Sequence, residues 1–163
     1  LVASLSEREL ADVIYTLGDE RKSRPIARAV KRREAEGALE TTRDLRDAVI
    51  SAVGRGRPGT IDPATRTFQA LRIAVNRELE ELDGLLAALP DVLAPGGVAA
   101  ILSFHSHEDR AVKYAFRGSD VLVPLTKKPV VASDEEAARN PRARSAKLRA
   151  ARRVSPADVE GRA

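Results

Sequence analysis

Residues 62–109 read DPATRTFQALRIAVNRELEELDGLLAALPDVLAPGGVAAILSFHSHED, and the fold class turns on them. Phe68, Leu71, Val75, Leu79, Leu82 and Leu86 recur at three- and four-residue steps, which draws one apolar stripe along a long helix. Asp62 suits the N-cap, and Pro63 suits the first helical position, where its missing N–H costs nothing. Arg66, Gln69, Arg72 and Asn76 fall beside or opposite the stripe. The helix has to stop before Ala94-Pro95-Gly96-Gly97. Val98 to Leu102 is then an unbroken apolar run, the pattern of a strand covered on both faces of an α/β sheet. Ser103-Phe104-His105-Ser106 places polar groups at the end of that strand, where open α/β sheets bind their ligands.

Upstream of this stretch the chain reads as three short helices without strands, a small all-α subdomain. Ser6 and Glu9 form a capping-box pattern opening a helix that Gly18 closes. Ser23 and Pro25 start a second, with Ile26, Ala29 and Val30 on one side and Arg24, Arg28, Lys31, Arg32 and Arg33 around them; Gly37 ends it. Thr41 or Thr42 caps a third, with Leu45, Val49 and Ile50 inward and Gly54 as its stop. Residues 54–59 form a basic, glycine-rich loop. Downstream, a helix is expected from Glu108 to Phe116 with Ser106 or His107 near its cap and acids in its first turn, as the helix dipole prefers. Val121 to Val123 and Val130-Val131 read as short strands around the basic turn Lys127-Lys128, and Ser133 caps a helical turn ended by Asn140-Pro141. Residues 146–150 alternate in the manner of an edge strand, and 155–163 read as a frayed tail.

Composition narrows the function classes. With 163 residues, 43% hydrophobic and 32% charged, the chain is long enough for a real core, and 3% aromatic content leaves that core to Leu, Val, Ile and Ala. Cysteine is absent and histidine occurs twice, so disulfides and thiolate metal sites are excluded and no metal centre is expected. No apolar run approaches the roughly 20 residues that span a bilayer, and the start does not read as a signal peptide, so a cytoplasmic location is expected without a membrane partner. The net charge of +4 is modest, but basic residues cluster in the last third, at Lys127, Lys128, Arg139, Arg142, Arg144, Lys147 and Arg149. Methionine is missing altogether, and Leu1 is not a residue that removal of an initiator methionine normally leaves; the chain is therefore expected to be a piece of a longer protein.

The densest titratable group is His105, Ser106, His107, Glu108 and Asp109. A histidine at a strand end can accept or donate a proton near neutrality; equally, Ser106 can cap a helix whose dipole the acids serve. No Gly-x-Ser-x-Gly elbow is present to support a Ser–His hydrolase. Arg66, Arg72 and Arg77 can grip phosphate or form ion pairs on a solvated face, whereas the arginine-rich run Arg142, Arg144, Lys147, Arg149 beside a turn suits bidentate phosphate contacts. Gly96-Gly97 precedes a strand, while a phosphate-binding glycine loop follows one.

Taken together, Asp62-Pro-Ala-Thr-Arg-Thr-Phe-Gln-Ala-Leu-Arg-Ile73, Leu93-Ala-Pro-Gly-Gly97, Ser103-Phe-His-Ser-His-Glu-Asp-Arg110, Leu125-Thr-Lys-Lys-Pro129 and Asn140-Pro-Arg-Ala-Arg-Ser-Ala-Lys-Leu-Arg-Ala150 resemble, in order, the motifs of the ribosomal RNA small subunit methyltransferase H (MraW) family. The resemblance runs to about Val154. It implies the second half of a Rossmann-like class I methyltransferase domain, an α/β fold, plus an all-α inserted subdomain. The insertion would occupy residues 1–80 and the sheet half 81–154, ending in an antiparallel hairpin. The implied activity is transfer of a methyl group from S-adenosylmethionine to N4 of a cytidine in 16S rRNA of the small ribosomal subunit, with a homodimer as a candidate assembly.

The resemblance assigns roles with uneven strength. His105, Ser106, Glu108 and Asp109 are catalytic candidates. Arg66, Gln69, Arg72, Asn76, Lys127, Lys128, Arg142, Arg144, Lys147 and Arg149 are RNA-binding candidates. Asp62 and His107 depart from the family's usual His and Leu. The family's glycine-rich loop and acidic ribose-binding residue have no counterpart in 1–163, so no cofactor-binding residue is expected here, and the chain alone is expected to be inactive. Asn140-Pro141-Arg142 also lacks the second proline and aromatic of the Asn-Pro-Pro-aromatic motif used by many amino methyltransferases. The competing readings are a non-catalytic RNA- or ribosome-binding helical module and a purely structural α-rich interaction domain.

Overall fold

The computed structural model describes residues 1–57 and 59–155, and these divide into two compact units at Glu78/Leu79. In the first unit, α1 (Glu7–Gly18) starts at Ser6, whose hydroxyl accepts from the Glu9 amide while the Glu9 carboxylate accepts from the Ser6 amide. The same reciprocal cap, Thr41 with Asp44, opens α3 (Thr42–Val53). Between them lies α2 (Ser23–Ala35). Leu10, Ile14, Ile26, Ala27, Val30, Ala48, Val49 and Ala64 form the core, with Phe68 and Leu71 of α4 (Thr65–Asn76) packed against it. Gly18 does more than end a helix. A Cβ there would lie 2.6 Å from the Arg66 carbonyl oxygen and 3.2 Å from the Ala70 Cβ, so the missing side chain lets α4 approach α1. The left-handed C-cap falls to Asp19 (φ 51°).

The long helix expected from Asp62 onward is instead two. Arg77 adopts φ 54°, in the left-handed region, and ends α4 by donating its amide to the Ile73 carbonyl; α5 runs Glu78–Val92. Asp62 does not cap α4 directly but accepts from the Ala64 amide at 2.9 Å, in the turn before it. The buried face of α4 is Thr67, Ala70 and Ile73, and Val75, placed on the apolar stripe by its spacing, is exposed. A pattern continuous across a break leaves the same periodicity on each side, and so conceals the break.

The second unit holds α5, β1 (Val98–Ser103), α6 (Ser106–Gly118), β2 (Leu122–Pro124), β3 (Val130–Val131), α7 (Asp134–Arg139), a 3-10 turn at Pro141–Ser145 and β4 (Lys147–Arg153). Its core is Leu86, Leu89, Ala99, Val112, Phe116, Leu122 and Ala151. Every strand pairing among the described residues is antiparallel to β4: Ala100 opposite Ala150, Val123 opposite Arg152, and Val130 opposite Leu148. The segment expected to be an edge strand is therefore the centre of the sheet, in the order β1-β4-β2. The strand expected to be covered on both faces is covered on one: Ala99 and Ser103 are buried, whereas Val98 and Leu102 are 53% and 52% exposed. The chain is thus mixed α/β with a small antiparallel sheet. The expected frayed tail lies outside the described residues, apart from Ser155.

Candidate functional site

At the end of β1 the backbone leaves the sheet and turns into α6, and His105 rather than Ser106 or His107 is the N-cap. Its Nδ1 accepts from the Glu108 amide at 3.3 Å, while the Glu108 carboxylate accepts from the amides of Phe104 at 2.7 Å and His105 at 3.2 Å. This is a capping box in which an imidazole replaces the usual hydroxyl. An accepting Nδ1 places the neutral ring's proton on Nε2, which lies 3.4 Å from a Glu108 oxygen. The His107 ring stands edge-on to it, with centroids 6.0 Å apart. Ser106 is the first helical residue and only partly exposed.

Asp109 has a different partner. Its carboxylate accepts from Arg149 Nε at 2.7 Å and Nη2 at 3.3 Å, with Lys147 Nζ 3.7 Å away. The register places Ser103 opposite Lys147 and Ile101 opposite Arg149, so these side chains share the face of the sheet that α6 covers. The Arg149 hydrogen bond holds the Asp109 carboxyl below the ordinary carboxylate range, and the nearby positive charges of Arg149 and Lys147 act in the same direction. Asp109 is therefore an ionised anchor and a weak proton acceptor. Arg149 itself is 6% exposed. Its place is interior, with its guanidinium engaged by Asp109.

Two other cations of that run face outward. Arg142 and Arg144 are exposed on the 3-10 turn, which Asn140 opens by accepting from the Arg142 amide at 3.3 Å. Lys127 and Lys128 are exposed in the turn between β2 and β3, and Lys147 is half-buried. Beside Arg142 the outer face of the sheet opens into an apolar hollow of about 450 Å³ bordered by Leu102, Phe104, Val130, Val131 and Leu148.

In the first unit, Arg72 makes a two-bond contact with Glu78, at 2.8 and 3.0 Å, and Asn76 Nδ2 donates to the same carboxylate at 3.2 Å. Arg66 donates to the Asp19 carbonyl at 3.3 Å, and Gln69 is half-buried. These four expected RNA contacts lie on one short helix, with Arg72 and Asn76 in local hydrogen bonds at the break at Arg77 and Arg66 in a long-range one to the end of α1.

Gly96, with φ +79°, donates its amide to the Arg153 carbonyl at 3.0 Å, and Gly97 donates to the Ala94 carbonyl at 2.8 Å. The Gly96 amide thus joins the turn to β4 and the Gly97 amide closes the turn itself, while the Gly97 carbonyl accepts from the Arg153 amide at 2.8 Å. Arg153 strengthens the same corner by donating to the Leu93 carbonyl at the end of α5.

The sequence pattern of the MraW methylase family matches residues 1–154. Over 159 residues the chain is 61% identical to a protein of Sorangium cellulosum named ribosomal RNA small subunit methyltransferase H, covering 98% of this chain and 50% of that protein. A protein of the same name from Prochlorococcus marinus is 55% identical over 159 residues, 96% of this chain and 51% of the relative. Another, from Nitrobacter winogradskyi, is 48% identical over 177 residues, 98% of this chain and 53% of the relative. The chain spans about half the length of these relatives.

Proposed function

This chain belongs to the MraW methylase family, and from that membership we propose that it serves methylation of small-subunit rRNA, with S-adenosylmethionine as methyl donor and N4 of a cytidine as acceptor. The observation that carries the reading is the 61% identity over 98% of the chain with a relative bearing the rRNA methyltransferase name. The Gly96 and Gly97 amides are bonded within the sheet corner, which supports placing the main site of the sulfonium cofactor outside the residues described here. The chain's part is then on the substrate side. Alone it is inactive, and the cofactor loop comes from the portion of the relatives' length that this chain does not match.

An exocyclic amine is a weak nucleophile, so acceleration depends mainly on holding it in line with its target. The exposed cations Lys127, Lys128, Arg142 and Arg144 supply phosphate contacts in the second unit, and Arg66 and Arg72 in the first. Phosphate contacts set register and orientation and carry no base specificity. Of the catalytic candidates, Glu108 is committed to capping α6 and Asp109 to Arg149. We assign His105 a positioning role: it fixes the strand end on which Ser103 to Ser106 stand.

The test is transfer of labelled methyl from S-adenosylmethionine to unmodified small ribosomal subunits. This chain is compared with a version extended upstream to the length of its relatives. Label with the extended chain alone is the expected result. Label with the short chain overturns the claim that the cofactor site lies elsewhere. Absence of label with both, alongside rRNA binding, favours a non-catalytic RNA-binding module.

A further inference from the structure

The basic residues of α2 fall into two sets. Lys31 and Arg33 are part of the fold: Lys31 sits 2.8 Å from Glu34 and donates to the Val2 carbonyl at 3.2 Å, and Arg33 donates to the Asp44 carbonyl at 3.3 Å. Arg24, Arg28 and Arg32 are exposed and follow one another at four-residue steps. A rise of 1.5 Å per residue sets their roots about 6 Å apart along a single face, comparable with the separation of neighbouring phosphates on one nucleic-acid strand. The opposite face buries Ile26, Ala27, Ala29 and Val30, so the row is held on a fixed support.

Like charges four residues apart destabilise a helix, and on this row no acid intervenes. Arg24 and Arg32 make no ion pair among the described residues. Among the described residues Arg28 pairs with Glu7 of α1, at 3.5 Å, with its side chain 74% exposed, a pair that water and salt weaken. Arg8 of α1 faces the same hollow of about 520 Å³ as Arg24 and Arg28, with Glu7 and Asp12 on its rim. Exposed Arg21 and Lys22 continue the positive surface ahead of the helix. Arginine, with its planar fork, suits a phosphodiester oxygen pair better than lysine does.

We infer, on the rRNA-substrate reading given above, that the outward face of α2 binds the phosphodiester backbone of the RNA through Arg24, Arg28 and Arg32. Phosphate contacts from such a row set affinity and orientation and carry no sequence information themselves.

The experiment titrates the chain with naked small-subunit rRNA and with assembled small subunits, between about 50 and about 200 mM salt. The variant is R24Q/R28Q/R32Q, and the charge-matched control is R43Q/R117Q/R139Q, at exposed positions on α3, α6 and α7. Glutamine keeps helix propensity, and circular dichroism checks that both variants fold.

Loss of three phosphate contacts lowers the slope of log K against log salt by about 2.1 to 2.7, so the α2 variant loses about 20- to 40-fold less affinity than the wild type over that salt range. The control keeps the wild-type slope, and Glu7→Gln, which releases Arg28, tightens binding. Equal flattening in variant and control overturns the inference, because the effect is then net charge alone. A variant that binds naked rRNA normally but assembled subunits weakly also overturns it, since the row then faces a protein. In both cases the methyl-transfer result stands unaffected. Absence of wild-type binding to either RNA form removes the rRNA reading and this surface with it.

Discussion

Replacing Asp109 by Asn probes the interaction that ties α6 to the middle of the sheet. The wild-type carboxylate receives two N–H bonds from Arg149, at 2.7 and 3.3 Å, and the arginine side chain is 7% exposed. Removing one member of a fully buried pair typically costs about 3–5 kcal/mol because the other charge is stranded. Here Asp109 keeps 14% of its side-chain surface and a more distant lysine, so part of the field is already screened. Asn also retains one acceptor. Hydrogen bonds to charged groups contribute about 1.5–3 kcal/mol, which places the loss near 2 kcal/mol. Urea unfolding of wild type, Asp109→Asn, Arg149→Met and the double variant gives the coupling directly. The expectation is about 2 kcal/mol for each single change, with the double variant well short of their sum. A loss below about 0.5 kcal/mol for Asp109→Asn, the scale of an ordinary surface change, refutes the assignment of Asp109 as an anchor. The pH dependence has a definite sign. The folded carboxyl titrates below its ordinary value, chiefly through the Arg149 hydrogen bond. The stabilisation is therefore fully present above the unfolded value of about 4 and disappears as pH falls through the depressed folded value. Asp109→Asn should abolish that part of the acid sensitivity and leave stability at neutral pH lower.

Gly18→Ala brings a methyl group to 2.6 Å from the Arg66 carbonyl, so α1 and α4 must separate; a loss of about 1–3 kcal/mol in urea unfolding is expected, and a neutral or stabilising result shows that the helices do not meet at that point. His105→Ala and His105→Asn separate capping from chemistry. Alanine should cost about 1 kcal/mol of stability and asparagine much less, since Asn is a good N-cap. If His105 acts through position alone, methyl transfer by the extended protein survives in His105→Asn, and its loss there with stability intact would assign the imidazole a direct part.

What the sequence revealed depended on how far apart the cooperating residues lie. The Ser6–Glu9 box is legible because it is complete within four residues, whereas at the third helix the sequence offers Thr41 or Thr42 and the structure selects Thr41, boxed with Asp44. The His105–Glu108 box has the same spacing but went unread, because Ser106 and His107 look like better starts than an imidazole. The break at Arg77 was hidden by a stripe that stays in phase across it. The nearest local hint is the Glu78 carboxylate, which gathers Arg72 and Asn76 around the reversal and begins the next helix with negative charge. The MraW family was legible from five ordered motifs, because motif order and wording survive even where the reading of secondary structure goes astray.

The displacement of β4 from edge to centre comes from the same cause and bears on function. Alternating charge along 147–153 reads locally as a solvated edge, since burying an arginine is costly. Burial of Arg149 becomes acceptable only because Asp109, forty residues away in sequence, meets it inside. The acid stands in the first turn of the helix that follows the Ser103–Ser106 strand end, so the pair joins the centre of the sheet to the segment carrying His105. The two motifs that look most like chemistry, the acidic helix start and the arginine run, thus meet as each other's counter-charges. The outward cations Lys127, Lys128, Arg142 and Arg144, with Arg66, Arg72 and the α2 row, are the exposed groups we propose for an RNA backbone.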